Sequence, residues 1–459
     1  MQRRALAGLA AAGLIATIGC GSGGDRATTS TATTPLGQAT LAKKKGAANW
    51  PTYHANLART AIDRTSPPLG QPRRIWSRHL DGQVYAEPLV LGNRVYAATE
   101  NNTVYALNAR NGGIAWKRYL GTPVQASTLP CGGIQPVTGI TGTPAISGGT
   151  LYVVAFLSGY RHVLFGLSLR GGKALLRRPV DAPGSDPRVH QQRPGLSVSG
   201  GRVYVEYGGL QGDCGDYKGR VVSVRAKGRP RMRSFTVGVS RKGGIWAPSG
   251  AAVDRRGNLF VATGDGENPS GFDFGNSVLR LSPKLKQTGF WRPTNAAQLN
   301  QSDTDLGSVG PALLGGGRMF AIGKEGVGVT LSTARLGGIG GQLFQARVCG
   351  GGAFGGLAYL PPLLFVPCAD GLVALRFNGD SFATAWKSDS FNAGPPIVAG
   401  GAIWTIDIDS ATLFALAPDS GRVLATQSLG SVTHFATPSA GGGRLFAPAD
   451  TQVIAFAGI

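Results

Sequence analysis

Apolar and polar residues alternate along residues 85–120 in four short runs, EPLVLG, RVYAATE, TVYALNA and GIAWKRYL, with Gly or Asn punctuation between them. A period of two predicts four short antiparallel strands, and a lone sheet of this kind has two apolar faces that it cannot bury. The pattern returns at a spacing of about 40 residues, the repeat length of propeller blades. Copies begin at GTPAISGGTLYVVAFL, GLSVSGGRVYVEYGG, GGIWAPSGAAVDRRGNLFVATGDG, GPALLGGGRMFAIGKEG, GGLAYLPPLLFVPCADG and PPIVAGGAIWTIDIDS. The final copy, ATPSAGGGRLFAPADTQVIAFAGI, holds three strands instead of four. RRIWSRHL at residues 73–80 resembles the outer strand GIAWKRYL, yet no inner strands precede it. Joining the two ends predicts an all-β fold: an eight-bladed β-propeller of four-stranded blades, closed by an N-terminal strand that completes the last blade. Closure of that kind leaves no open sheet edge.

Three segments follow. Arg3 and Arg4, an apolar run over residues 5–18 and small residues before Cys20 predict an export signal over residues 1–20. Its end, ATIGC, resembles the lipobox of bacterial lipoproteins, in which Cys20 becomes the acylated N-terminus; an ordinary cleaved secretory signal is the alternative. Residues 21–48 are Gly, Ser, Thr and Ala with Lys43, Lys44 and Lys45, too few apolar groups to offset ordering entropy, and read as a flexible linker. Residues 49–459 form the propeller, in which 72 glycines along the chain supply the turns that so many strands require. The expected location is therefore outside the cytoplasm, lipid-anchored to the outer face of the cytoplasmic membrane or cell envelope.

An exported chain favours disulfides, and Cys131, Cys214, Cys349 and Cys368 can pair in three ways. Strands in a blade alternate direction, so the loop leading into strand one and the loop after strand two share a face of the ring. On that rule Cys349 pairs with Cys368 and Cys131 with Cys214. The five histidines lack zinc-ligand spacing, and no nucleophile elbow or P-loop occurs. A formal charge of +22 favours anionic envelope surfaces. Without an aromatic-basic stacking module it does not indicate nucleic acid. The expected partners are an envelope protein or a small ligand at the propeller face, with the membrane reached through the lipid anchor, and the expected state is a monomer.

The run NRVYAATENNTVYALNARNGGIAW resembles the PQQ-type propeller repeat, strand then G-x-VY, DG-x-VYALD and TG-x-x-x-W, of the quinoprotein alcohol dehydrogenase-like superfamily. NWPTYHANLART resembles the segment ahead of many such propellers, which implies packing across the bottom or side of the ring. A narrower resemblance joins GGIWAPSG, VATGDGENP, SDTDLGSVG and IGKEG to the quinoprotein dehydrogenases. It implies pyrroloquinoline quinone (PQQ) with calcium. Trp246 would lie under the quinone, Asp265 would bind calcium and cofactor, Asp305 would be catalytic base and calcium neighbour, and Lys324 would touch the quinone carbonyls. The strand-alternation rule independently puts these four on one face near the axis. Three departures stand beside the resemblance. No adjacent Cys-Cys pair exists, and the calcium-binding Glu has only Glu206 or Glu267 as substitutes. No CxxCH haem motif occurs, so electrons would need an external acceptor. The competing reading makes Asp265, Asp303 and Asp305 turn residues that satisfy loop amides. Two functions result: a ligand-binding or protein-scaffold module, and a PQQ-dependent dehydrogenase for an alcohol or sugar.

Overall fold

A computed structural model describes residues 49–268 and 271–459; the export signal, Cys20 and the linker lie outside the described residues. Eight small antiparallel sheets succeed one another along the chain. Blade one is Leu89–Leu91, Arg94–Ala98, Thr103–Asn108 and Ile114–Tyr119, hydrogen-bonded in that order. Its two middle strands are buried on both faces, whereas the outer strand is exposed along nearly its whole length. Burial from both sides explains why Tyr96 and Tyr105 sit in the core beside Val95 and Val104.

Closure is as the two chain ends predict. Arg73–His79 pairs antiparallel with Gln452–Ala457, from Arg73 opposite Ala457 to His79 opposite Gln452, and completes blade eight. Trp76 on this strand donates its indole N–H to the Ala109 carbonyl of blade one, 3.2 Å away. The same device recurs where Trp116 of blade one reaches Leu169 (3.0 Å) and Trp386 of blade six reaches Pro418 (2.9 Å). Each ring lies on a turn glycine of the next blade: Gly112, Gly172 and Gly421, with φ of 68°, 67° and 70°. A Cβ on any of them would come within 2.8 Å of the indole. The TG-x-x-x-W spacing is thus a blade-to-blade latch, with glycine required by both backbone and contact.

The segment ahead of the ring does more than cross its bottom. It runs around the axis and bonds to every blade in turn. Trp50 pairs with Val90, and Pro51 accepts from Ile146 N–H (2.6 Å). Thr52 donates to the Leu196 carbonyl (3.0 Å), while Leu57, Ala58, Thr60 and Ala61 accept from the amides of Val253, Leu313, Tyr359 and Val398. Thr65 and Ser66 reach Gly442 and Gly443. Most of these partners are on the innermost strands, and Tyr53, His54 and Arg59 also bond Thr437, Glu87 and Gly195 ahead of them, so the strap runs along the inner edge of the ring. Four non-glycine strap residues, His54, Ala55, Arg59 and Ala61, hold φ between 53° and 67°. Such conformations cost about 1 kcal/mol or more each. Arg59 offsets this by donating to Thr52, Tyr53, Gly195, Ser197 and Ala251.

Both disulfides pair as the strand geometry indicates, Cys131 with Cys214 and Cys349 with Cys368. The one departure from pure β among the described residues, apart from single 3-10 turns, is a short helix, Ala296–Gln301, between blades four and five. No helix of the described residues is long and apolar enough to cross a membrane.

Candidate functional site

The lead-in loops surround an axial pocket of about 550 Å³, whose lining includes no strap residue. Trp246 enters it from the loop before Ala252–Val253, Asp305 from the loop before Ala312–Gly315, and Lys324 from the loop after Arg318–Ala321. Close approach depends on glycine. A Cβ on Gly208 would lie 2.7 Å from Trp246 Cβ, and one on Gly264 would lie 2.4 Å from Asp305 Oδ1 and 3.1 Å from the Trp246 indole nitrogen.

Asp305 is held at both oxygens. Its Oδ1 accepts the Asp265 backbone N–H at 2.7 Å, and its Oδ2 lies 2.7 Å from Lys324 Nζ. Lys324 also donates to Asp303, at the carbonyl (3.1 Å) and at Oδ1 (3.2 Å), and its ammonium stands 5.7 Å from the Trp246 ring centre. Burial alone would lower the basicity of Lys324, but Asp305 and Asp303 together outweigh it and hold the ammonium form above its ordinary range. The loop-amide reading is therefore realised in part, since Asp305 does satisfy an amide. Its second oxygen serves the lysine.

Asp265 lies behind this pair, 4 % exposed. Asn276 Nδ2 donates to its Oδ1 at 3.0 Å, but Oδ2 is buried and has no hydrogen-bond partner. Burial first, then the negative charge of Asp305, pushes its carboxyl up to about 8. Carboxylate oxygens of Asp265, Asp303 and Asp305 all fall within 4.8 Å of one another. An orphaned buried oxygen among three carboxylates fits a cation, so these residues could hold calcium, with Asp303 an addition to the pair expected from sequence. Neither substitute expected for a glutamate ligand, Glu206 or Glu267, reaches it. Glu206 is fully buried outside the pocket lining, and Glu267 is bound by Arg241 (2.7 Å) and Lys242 (3.2 Å).

Sequence reasoning missed the other side of the pocket. Phe435 tilts against Trp246 at 6.3 Å, and the Arg193 guanidinium lies 5.3 Å over Phe435. Gln191 and Tyr85 complete this end, and the Cys131–Cys214 bridge sets Gly132, Gly133 and Gly212 on the rim. The signal was positional. QQRP occupies the same lead-in place before blade three that IWAP occupies before blade four.

Fold and site together define an eight-bladed propeller with a strap along its inner edge and a polar axial pocket among its lead-in loops. Residues 72–208 match the family model of the outer membrane protein assembly factor BamB. A polyvinylalcohol dehydrogenase of Pseudomonas sp is 23% identical over 209 residues, 41% of this chain but 31% of the relative, so the alignment spans about a third of that protein. The quinohemoprotein alcohol dehydrogenase ADHIIG of Pseudomonas putida HK5 superposes with a TM-score of 0.71 at 15% identity, over 89% of this chain and 80% of its own. BamB of Moraxella catarrhalis gives 0.55 at 15% identity, over 84% and 98%. The chain is an eight-bladed β-propeller whose PQQ-type repeats are similar to those of dehydrogenases and of an outer membrane assembly factor.

Proposed function

We propose that the protein is an extracytoplasmic ligand-binding propeller whose axial pocket receives a flat, conjugated ligand of the quinone-cofactor kind. One observation carries the reading: the Trp246 ring, flanked by Lys324 and Phe435, lies in a mouth of about 550 Å³, within the usual range for small-molecule sites. The two disulfides support work in an oxidising compartment. Acylation at Cys20 would hold the ring to the membrane, and fatty-acid labelling that survives Cys20→Ser would remove that part of the proposal. Calorimetric titration with PQQ, with and without calcium, tests the pocket. Saturable binding that Trp246→Ala abolishes is expected, and no heat in either condition overturns it.

A second reading, oxidation of an alcohol or sugar, is favoured by the carboxylate cluster beside Trp246. A bound quinone would supply the two-electron acceptor. In this chain Asp305, positioned by Lys324 and the Asp265 amide, would take the hydroxyl proton, while Asp265 and Asp303 would help hold calcium. The similarity to a polyvinylalcohol dehydrogenase supports a hydroxyl-bearing substrate. Dye reduction across alcohols and sugars, lost in Asp305→Asn, is the expected result. A loaded protein that reduces no dye leaves binding without catalysis. The similarity to BamB supports a scaffold role for the same face toward an envelope protein, and crosslinking in envelopes that captures nothing reproducible would count against it.

A further inference from the structure

The Phe435 end of the pocket carries hydrogen-bond donors that lack acceptors. Arg193 lines the pocket and makes one side-chain hydrogen bond, from Nη2 to Gln191 Oε1 at 3.2 Å, and it joins no ion pair among the described residues. Gln191 is 4 % exposed, and its Nε2 is buried without a partner. Its backbone is fixed where Gln191 pairs with Gly208, the glycine on which Trp246 rests, so this donor pair and the aromatic floor belong to one rigid unit.

The neighbouring groups offset the guanidinium charge only in part, and burial outweighs them. Glu100 is the nearby acid, but burial pushes its carboxyl up to about 7, and its Oε2 is taken by the Gly139 amide at 2.6 Å. Tyr85 is raised by burial and stays a phenol, while burial and then Arg193 lower His434, which stays neutral at pH 7. At the Trp246 end, by contrast, Lys324 is already matched by two carboxylates. A desolvated cation without a counter-charge is costly, and a planar oxyanion relieves it because its two oxygens match the guanidinium fork.

Resting on the ligand-binding reading, we infer that Arg193 and Gln191 form an oxyanion subsite that takes a carboxylate, or a phosphate of similar charge, on the flat ligand. The ligand class is thereby narrowed from any conjugated ring to an anionic one. Neither residue needs to take part in chemistry. The subsite selects and orients what lies over Trp246.

The test compares PQQ, which carries three carboxylates, with 9,10-phenanthrenequinone, a flat three-ring quinone with none, by calorimetry on the folded protein. Wild type, Arg193→Met and Gln191→Leu are each titrated, and melting temperatures confirm that the variants fold. PQQ should bind more tightly than phenanthrenequinone, and Arg193→Met should weaken PQQ about 10- to 100-fold while leaving phenanthrenequinone unchanged, as expected for charge-assisted hydrogen bonds. Gln191→Leu should show a smaller loss of the same kind. If Arg193→Met binds PQQ as wild type does, the subsite is wrong and the pocket assignment survives. Benzoate and inorganic phosphate, followed by thermal shift, separate the two oxyanions. A shift with either that vanishes in Arg193→Met, when neither quinone binds wild type, keeps the subsite and overturns the flat-ligand reading. No response to any of the four compounds overturns both.

Discussion

Blades seven, eight and one differ in kind from blades three to five. In the first group a single apolar cluster runs without a break across the closure, from Trp404 and Ile397 through Phe446 and Ile454 to Val95 and Leu107, and extends into blades two and six. The indole latches of Trp76, Trp116 and Trp386 lie on the same side of the ring. Around blades three to five the core breaks into separate clusters. Orphaned buried polar atoms occur on both sides, at Glu87, Glu100, Asn102 and Ser439 in the first group and at Gln191, Glu206, Asp265 and Asp273 in the second. Burying such groups unpaired costs free energy. The apolar core is continuous where the chain ends meet and divided where the ring keeps a site.

This contrast makes the tryptophans the sharpest comparison. Trp386→Ala, on the sealing side and 9 % exposed, should cost about 3–5 kcal/mol in denaturant unfolding. Trp246→Ala should cost much less, because one face of its ring borders the pocket, and should instead abolish ligand binding. Equal losses of stability would erase the distinction between the two halves.

Next in size are the disulfides. Opening Cys131–Cys214, with a separation of 83 residues, should destabilise the chain by about 4.5 kcal/mol, and opening Cys349–Cys368, with a separation of 19, by about 3 kcal/mol, from loop entropy. Serine pairs measured in urea check the order. Only the first should also weaken binding at the pocket, whose rim it supports.

The smallest effect is a slope. Because the Asp265 carboxyl is raised to about 8, the folded chain keeps a proton between the ordinary carboxylate range and that pH, where the unfolded chain has released it. This group therefore makes stability fall as pH rises through that window, by at most about 1.4 kcal/mol per pH unit, and adds no slope above it. Glu206 and Glu100, both raised to about 7 by burial, act in the same direction, so the readable quantity is the difference between wild type and Asp265→Asn. The variant should show the shallower decline between pH 5 and about 8. Identical profiles would mean that Asp265 is ionised in the folded chain. Calcium, which needs the ionised form, should bind more tightly as pH rises through the same window.

The sequence by itself determined the strands, the blade count, the closure and both disulfide pairings. Each depends on a period of two within strands or about 40 between blades, and periodic burial is written locally in residue type. Strand alternation was enough to bring Trp246, Asp305 and Lys324 to one mouth, with Asp265 buried directly behind Asp305. Only the tertiary structure decided which atoms meet there: that Lys324 binds Asp303 as well as Asp305, that Asp265 keeps an empty oxygen, that Glu206 and Glu267 point elsewhere, and that Gln191 and Arg193 face the same pocket. The strap's path past all eight blades was equally invisible. These are contacts between aperiodic segments tens to hundreds of residues apart, and their geometry is set by the closed ring, not by any pattern inside the segments themselves.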